Sequence, residues 1–366
     1  MAETEAASRA YETPFEARAY QGFVSGLKAY WGGELYREVL ADAERANART
    51  ADELEREMSK LPAYRLYAWL ERRTQQMRFH GRWGFATVLE KQRGRLEALL
   101  EGAPASRPDR LQLDPRLEVP PYVTQADTHQ LNGGLWREPF HAYVLAWYQT
   151  GLSFAGSKPD ALVDWYADLL KKRAAEAGLS PKRILDLGCT GGRSSRAIKR
   201  ALPQAEVFGL DVCGPSLRHG HLRTAEEGVD VTLCQQSAEE LRFDDASVDI
   251  VASHWLFHEM PPQAIRRCIA ESSRVLRKGG VFAAYDMCVV PGGVVGEWLH
   301  TGYARRNNEP FAHTLMKMDL EADLEKAGFK DIRVQLTSPD HPGPEIPERL
   351  PNRRLHYMAM VSGIKA

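Results

Sequence analysis

Residues 184–198, ILDLGCTGGRSSRAI, decide how the rest of the chain is read. Ile184, Leu185 and Leu187 make a short buried strand, and Gly188, Gly191 and Gly192 make a turn. An amphipathic helix opens at Arg193. A strand that stops at glycines before a helix leaves bare backbone and a helix N-terminus, against which a nucleotide-like ligand can sit. Asp186, near the strand's end, can face a cationic or hydrogen-bond-donating ligand. The stretch predicts a ligand and leaves its identity open.

Working outward, strand and helix patterns alternate from about residue 160. Strands are expected at 183–187, 205–211, 229–234, 248–253, 280–287, 329–336 and 353–361. Helices are expected at 160–177, 193–201, 216–227, 262–276 and near 319–327. Such βα units imply an α/β fold, a doubly wound, Rossmann-like, seven-stranded sheet with its ligand at the strands' carboxyl ends. The second strand ends in Asp211, about 20 residues after the glycine turn, where an acid accepts hydrogen bonds from ribose hydroxyls. The polar turn QQSAEEL (235–241) follows the third strand, and the fourth ends in SHWLFHEM (253–260). RVLRKGG (274–280) reads as a helix end closed by glycine.

Before residue 102 the chain reads as mainly helical. Thr50 with Glu53 offers a capping box, and Pro62 fits the first turn of a helix. In that helix Leu66, Trp69, Leu70 and Arg73 follow helical spacing, as a core or a subunit interface would. Residues 102–121 are proline-rich and read as a linker over the surface. Residues 122–151 mix Asp127, His129 and Gln130 with many aromatics, which suits either a lid or a domain junction. The expected organisation is an N-terminal helical domain and linker (1–121) that caps the site or makes a homodimer, a connecting segment (122–159), and a ligand-binding domain (160–366).

Composition narrows the function classes. The 366 residues are 43% hydrophobic and 27% charged, with a formal net charge of −1. That balance predicts no general attraction to nucleic acid or anionic membranes, and no apolar run approaches a membrane span. The N-terminus lacks the apolar core of a signal peptide. Five scattered cysteines with no CxxC pair argue against a metal site and for a reducing, cytoplasmic setting.

Five stretches in order, ILDLGCTGGRSS, VFGLDVC, QQSAEELRFDDASVDIV, SHWLFHEMPP and RVLRKGGVF, resemble the class I S-adenosylmethionine-dependent methyltransferases, especially the small-molecule group related to quinone and sterol methyltransferases. The resemblance covers roughly residues 160–362, and the late element pair suits that family's reversed last strand. It implies S-adenosylmethionine as cofactor and a small-molecule substrate. Carried over by position, Asp186, Gly188, Cys189, Thr190 and Gly192 surround the amino acid end of the cofactor, and Asp211 takes the ribose hydroxyls. Val212, Ser237 and Ala238 lie at the adenine, with Ser253 and His254 beside the methionine part. Thr190 stands where the family usually has its middle glycine, an exchange that requires Thr190 to avoid positive φ. The acid often found at the adenine is Ser237 here, with Glu239 two residues later.

For the reaction, in-line displacement is mostly alignment and desolvation. His254, His258 and Glu259 are candidate bases, and a histidine near its ordinary pKa of about 6.5 would suit that role; either histidine could equally pack on the cofactor or cap the next helix. Tyr303 is a further catalytic candidate. Asp127, His129, Asn308 and Glu309 are candidate substrate-side groups, with solvated loops as the alternative. Two rival functions share the fold: a cyclisation or rearrangement using the sulfonium charge, and a non-catalytic interaction protein. A nicotinamide-dependent reductase would show its glycine motif near the N-terminus.

Overall fold

In the computed structural model, which describes residues 11–103, 107–134, 136–151, 160–289, 292–337 and 358–366, one sheet of eight strands organises the molecule. The strands are Leu111–Gln112 (β1), Arg183–Leu187 (β2), Glu206–Asp211 (β3), Thr232–Gln235 (β4), Val248–His254 (β5), Leu276–Asp286 (β6), Phe329–Leu336 (β7) and Ala359–Lys365 (β8). Their spatial order is β1-β4-β3-β2-β5-β6-β8-β7. The first six run parallel, and β8 lies antiparallel between β6 and β7.

β2 is central because both of its faces are apolar. Ile184 joins Val207, Ile250, Val281 and Tyr166 in one core. Leu185 and Leu187 join Val251, Phe282, Ile265 and Phe257 in the other. Alternate side chains of one strand thus feed two layers, as a sheet covered on both faces requires. The parallel arrangement gathers the ends of β2, β3, β4, β5 and β6 at one edge.

Four expectations need correction. The proline-rich linker is not merely laid over the surface, because Leu111–Gln112 pairs parallel with β4 as an eighth strand. Arg110 fastens it there through Asp230 and Thr232, and a two-residue strand is too short to show any period. RVLRKGG is not a helix end closed by glycine: the Pro262–Val275 helix stops at its second residue, and β6 begins at Leu276. Gly279 (φ +78°) lies inside β6, where the register against β5 shifts between Val248 and Ile250. The last strand, expected at 353–361, is described over Ala359–Lys365 with Met358 outside it, and residues 353–357 lie outside the described residues. In the Pro62–Phe79 helix, Leu66 and Trp69 are exposed. The buried face runs instead through Tyr64, Tyr67, Leu70, Glu71, Thr74, Gln75 and Arg78, a polar face that apolar spacing cannot reveal.

The helical N-terminal part follows its local signals elsewhere. Thr50 Oγ1 accepts from Glu53 N at 3.1 Å, while the Glu53 side chain reaches back to Arg49 N at 2.9 Å. Pro62 opens its helix. The Gly293–Asn307 helix, which follows β6, packs Trp298 and Leu299 into the core of Trp31, Tyr36, Leu54, Tyr64 and Tyr67. A buried ion pair between Arg306 and Glu71 joins the same two parts. Among the described residues no helix is long and apolar enough to cross a membrane.

Candidate active site

The glycine turn after β2 is built around three left-handed residues, Gly188 (φ +67°), Thr190 (φ +51°) and Gly192 (φ +67°). A Cβ on Gly188 would come within 2.7 Å of Leu256 Cδ1, so two constraints demand glycine there. Thr190 does not avoid positive φ, and this corrects the expectation. A β-branched residue in this region is strained by about 1–2 kcal/mol. What holds it is a hydrogen bond from Thr190 N to Asp211 Oδ2 at 2.8 Å. Thr190→Gly is therefore expected to raise the urea midpoint, with a net gain of about 0.5–1 kcal/mol once the added chain entropy of glycine is subtracted. A lower midpoint would show that the threonine side chain contributes more than its strain costs.

Asp186 is fully buried. Its Oδ2 accepts from the Ser194 and Ser195 hydroxyls at 2.6 and 2.5 Å. Its Oδ1 is buried with no partner, an acceptor suited to a donor such as an ammonium. Burial pushes its pKa up to about 6, against the two serine bonds, and nearby Asp211 adds to the rise. Asp211 spends one lone pair of each oxygen on backbone, Thr190 N and Cys213 N, both at 2.8 Å. A carboxylate has about four acceptor sites, so hydroxyl donors can still be taken. Bare turn, orphaned acceptor and an acid at the end of β3 fit the amino acid and ribose parts of S-adenosylmethionine. Cys189 is buried and its thiol pKa is driven well up, by burial first and then by Asp211, so it acts as packing.

Among the residues expected beside the adenine, Ser237 Oγ accepts from Glu239 N at 3.1 Å and braces its own turn. Ala238 packs on the core. Glu239 is engaged by the Tyr122 hydroxyl at 2.7 Å and by Arg267. Sequence reasoning passed over Gln235, whose amide donates to Val212 O and accepts from Asp114 N, both at 3.1 Å. It ties the Val212 turn to the segment after β1.

At the end of β5, Ser253 O accepts from the Tyr166 hydroxyl at 3.1 Å. His254 stacks between Trp255 and Tyr285, and its Nε2 is buried without a partner. Burial, then Arg193, drives its pKa down to about 3, so it stays neutral and is a poor base. Trp255, also missed from sequence, has φ +61°; so bulky a residue in the left-handed region marks strain of the kind found at functional sites.

The substrate-side candidates divide in two. Asp127 and Asn308 are loop braces: Asp127 Oδ1 accepts from Gly133 N at 2.7 Å, and Asn308 Nδ2 donates to Asp127 O at 2.9 Å. The others converge on one chain of acids and imidazoles, buried at Asp286, His258 and Glu309 and half-buried at Glu259 and His129. His258 Nδ1 lies 2.7 Å from Asp286 Oδ1. Glu259 Oε1 stands 3.5 Å from both His258 Nε2 and His129 Nε2. His129 Nδ1 lies 3.0 Å from Glu309 Oε1, and Tyr303 stands near enough to the same carboxyl to feel its charge. Burial works against charge on His258, yet Asp286 and Glu259 hold it protonated well above its ordinary value. The expectation of a base near pKa 6.5 is corrected in direction: the carboxylates around His258 favour its charged ring. Burial opposes the charge of Glu259, but the two imidazoles keep it below the usual carboxylate range. Burial raises the Tyr303 phenol well above its ordinary value, making it a donor rather than a base. Asp286 was missed, although it carries the signal that found Asp186 and Asp211, an acid closing a buried strand. No group of three His, Cys, Asp or Glu among the described residues could hold a metal ion.

Comparison with known proteins agrees with this geometry. The methyltransferase domain family matches residues 184–280. An uncharacterized methyltransferase of Synechocystis is 30% identical over 159 residues, 43% of this chain and 72% of that protein. The phthiotriol/phenolphthiotriol dimycocerosates methyltransferase of Mycobacterium leprae is 34% identical over 133 residues, 36% of this chain. The match spans 47% of that protein's length, about half. Among solved structures, Haemonchus contortus phosphoethanolamine N-methyltransferase 2 aligns with 17% identity and a TM-score of 0.46, covering 68% of this chain and 60% of that one. The chain belongs to the class I S-adenosylmethionine-dependent methyltransferases. Its cofactor is S-adenosylmethionine. The reading as a nicotinamide-dependent reductase falls away.

Proposed function

We propose that the protein transfers a methyl group from S-adenosylmethionine to a small-molecule acceptor seated at the ends of β5 and β6, beneath residues 127–134. The observation that carries this is the meeting, at one sheet edge, of the strained glycine turn and the acid–imidazole chain that runs through Glu259. Asp186, Gly188, Thr190 and Gly192 would hold the amino acid end of the cofactor, Asp211 the ribose, and Val212, Ser237 and Ala238 the adenine. Ser253 and His254 would lie beside the methionine part. When bound, the cofactor supplies an electrophilic methyl on a sulfonium, and the C–S bonding pair returns to sulfur.

The chain's own contribution is alignment and proton handling. Glu259 is ionised and 30% exposed at its side chain, so it can accept the hydrogen bond of an acceptor's O–H or N–H. The His258 and His129 rings flank its carboxyl, each at 3.5 Å. Near-neutral net charge, with acids and bases interspersed, disfavours a nucleic-acid substrate. Calorimetry tests the core of the proposal: heat is expected with S-adenosylmethionine and with its demethylated product, and no heat with either would sink it. Stoichiometric release of the demethylated product separates methyl transfer from a cyclisation or rearrangement. An interaction protein would bind the cofactor without turnover, yet such a protein has no need of the strained, tethered turn.

A further inference from the structure

His129 and Gln130 hold consecutive left-handed conformations, φ +58° and +63°, which two non-glycine residues adopt only when their surroundings compel it. The compulsion is visible. His80 Nε2 meets Gln130 O at 2.7 Å, Gln75 donates to His129 O at 3.2 Å, and Gln130 Nε2 donates to Arg306 O at 3.1 Å. Asn308 holds Asp127 O. The His129 ring itself lies between Glu309 Oε1 (3.0 Å) and Glu259 Oε1 (3.5 Å). These contacts come from three directions: the Pro62–Phe79 helix and the residue after it, the end of β5, and the C-terminal end of the Gly293–Asn307 helix.

We propose that residues 127–134 form a lid over the acceptor side of the site, latched by the charged His129 ring between Glu259 and Glu309 and released when that charge or Glu309 is lost. The backbone hydrogen bonds of the turn are independent of pH in the neutral range, whereas the ring contacts are not. Groups facing the ring are Glu259 and His258 (with Asp286 behind it) from the end of β5, Glu309 just after the Gly293–Asn307 helix, and Tyr148 from the His141–Gly151 helix, with Arg78 over the Tyr148 ring; Tyr303 and His300 act on Glu309 from the same helix as precedes it. Burial pulls the His129 pKa down, but Glu309 and Glu259 together hold it above the ordinary 6.5. The sign follows: the latch is closed below about 6.5 and is lost as pH rises through the folded-state value. Opening it uncovers Glu259, the group assigned to the acceptor, so the lid's purpose rests on that reading while its movement does not.

Hydrogen exchange of the 127–134 amides in the full chain, corrected for intrinsic rates, tests this. Raising the pH from about 6 to about 10 is expected to speed exchange about tenfold, as the ion pairs of the ring are lost. Glu309→Gln should show the fast exchange already at the lower pH, while still binding S-adenosylmethionine as proof of folding. His129→Phe should make exchange independent of pH. Asn308→Gly removes a tether without straining the backbone, and should speed exchange equally at both pH values. Equal protection across the pH range in the unaltered protein, or no effect of Glu309→Gln, overturns the latch and leaves the methyl-transfer reading standing, since no turnover is measured.

Discussion

Asp211→Ala is expected to weaken S-adenosylmethionine binding about 10- to 100-fold, the range for loss of a desolvated, charge-assisted hydrogen bond. Two effects act together. The substitution removes the acid proposed to take the ribose hydroxyls, and it removes the acceptor of Thr190 N and Cys213 N. Thr190 then keeps its left-handed strain with nothing holding it, and the turn relaxes away from the ligand. The two effects are separable by a double-mutant cycle. If Thr190→Gly restores most of the affinity lost in Asp211→Ala, the acid acts by shaping the turn. If the losses remain, it touches the cofactor directly. Unchanged affinity in Asp211→Ala, measured by calorimetry, would mean that the end of β3 is not part of the site.

What could be read from sequence follows from where the physics is local. Strand positions came from apolar runs such as 184–187 and 281–285, because burial on both faces writes itself as continuous hydrophobicity. Caps at Thr50 and Pro62 were legible because their partners lie within four residues. Asp186 and Asp211 were found because an acid ending a buried strand is conspicuous. Three kinds of feature were not legible. The edge strand at Leu111–Gln112 depends on Arg110 reaching Asp230 and Thr232, more than a hundred residues away. The buried face of the Pro62–Phe79 helix carries Glu71, Gln75 and Arg78, and their partners Arg306, His129 and Tyr148 are supplied by distant segments. The backbone of Thr190 depends on Asp211, so the threonine looked tolerable only if it escaped a conformation that the acid in fact imposes on it. His258 was noticed while its partner was not, and the partner reverses its chemistry, turning a candidate base into a cation.

Asp286 therefore carries the second large effect. Its Oδ2 accepts from Phe257 N (2.7 Å) and His258 N (3.3 Å), and its Oδ1 takes Met287 N and the His258 ring, each at 2.7 Å. Burial would raise the Asp286 carboxyl, but His258 and these backbone donors hold it below its ordinary range. Asp286→Ala strands a buried imidazolium and three backbone N–H groups, and a cost of about 3–5 kcal/mol is expected from breaking a buried pair on one side. Asp286→Asn keeps the shape and can still serve Phe257 N, but its amide cannot accept at the Oδ1 position if it does. His258 must then become neutral, because only Glu259, at 3.5 Å, remains to oppose burial. The pH dependence fixes the interpretation. Below about 6.5 the unfolded chain protonates His258, so a folded state that cannot protonate it is penalised most there. As pH rises through the raised folded value of the unaltered protein, that advantage fades and the cost of Asp286→Asn shrinks. Urea midpoints for the pair of proteins should thus differ most near pH 6 and converge in alkali. A difference that stays constant with pH would show His258 to be neutral, and would return it to the list of bases.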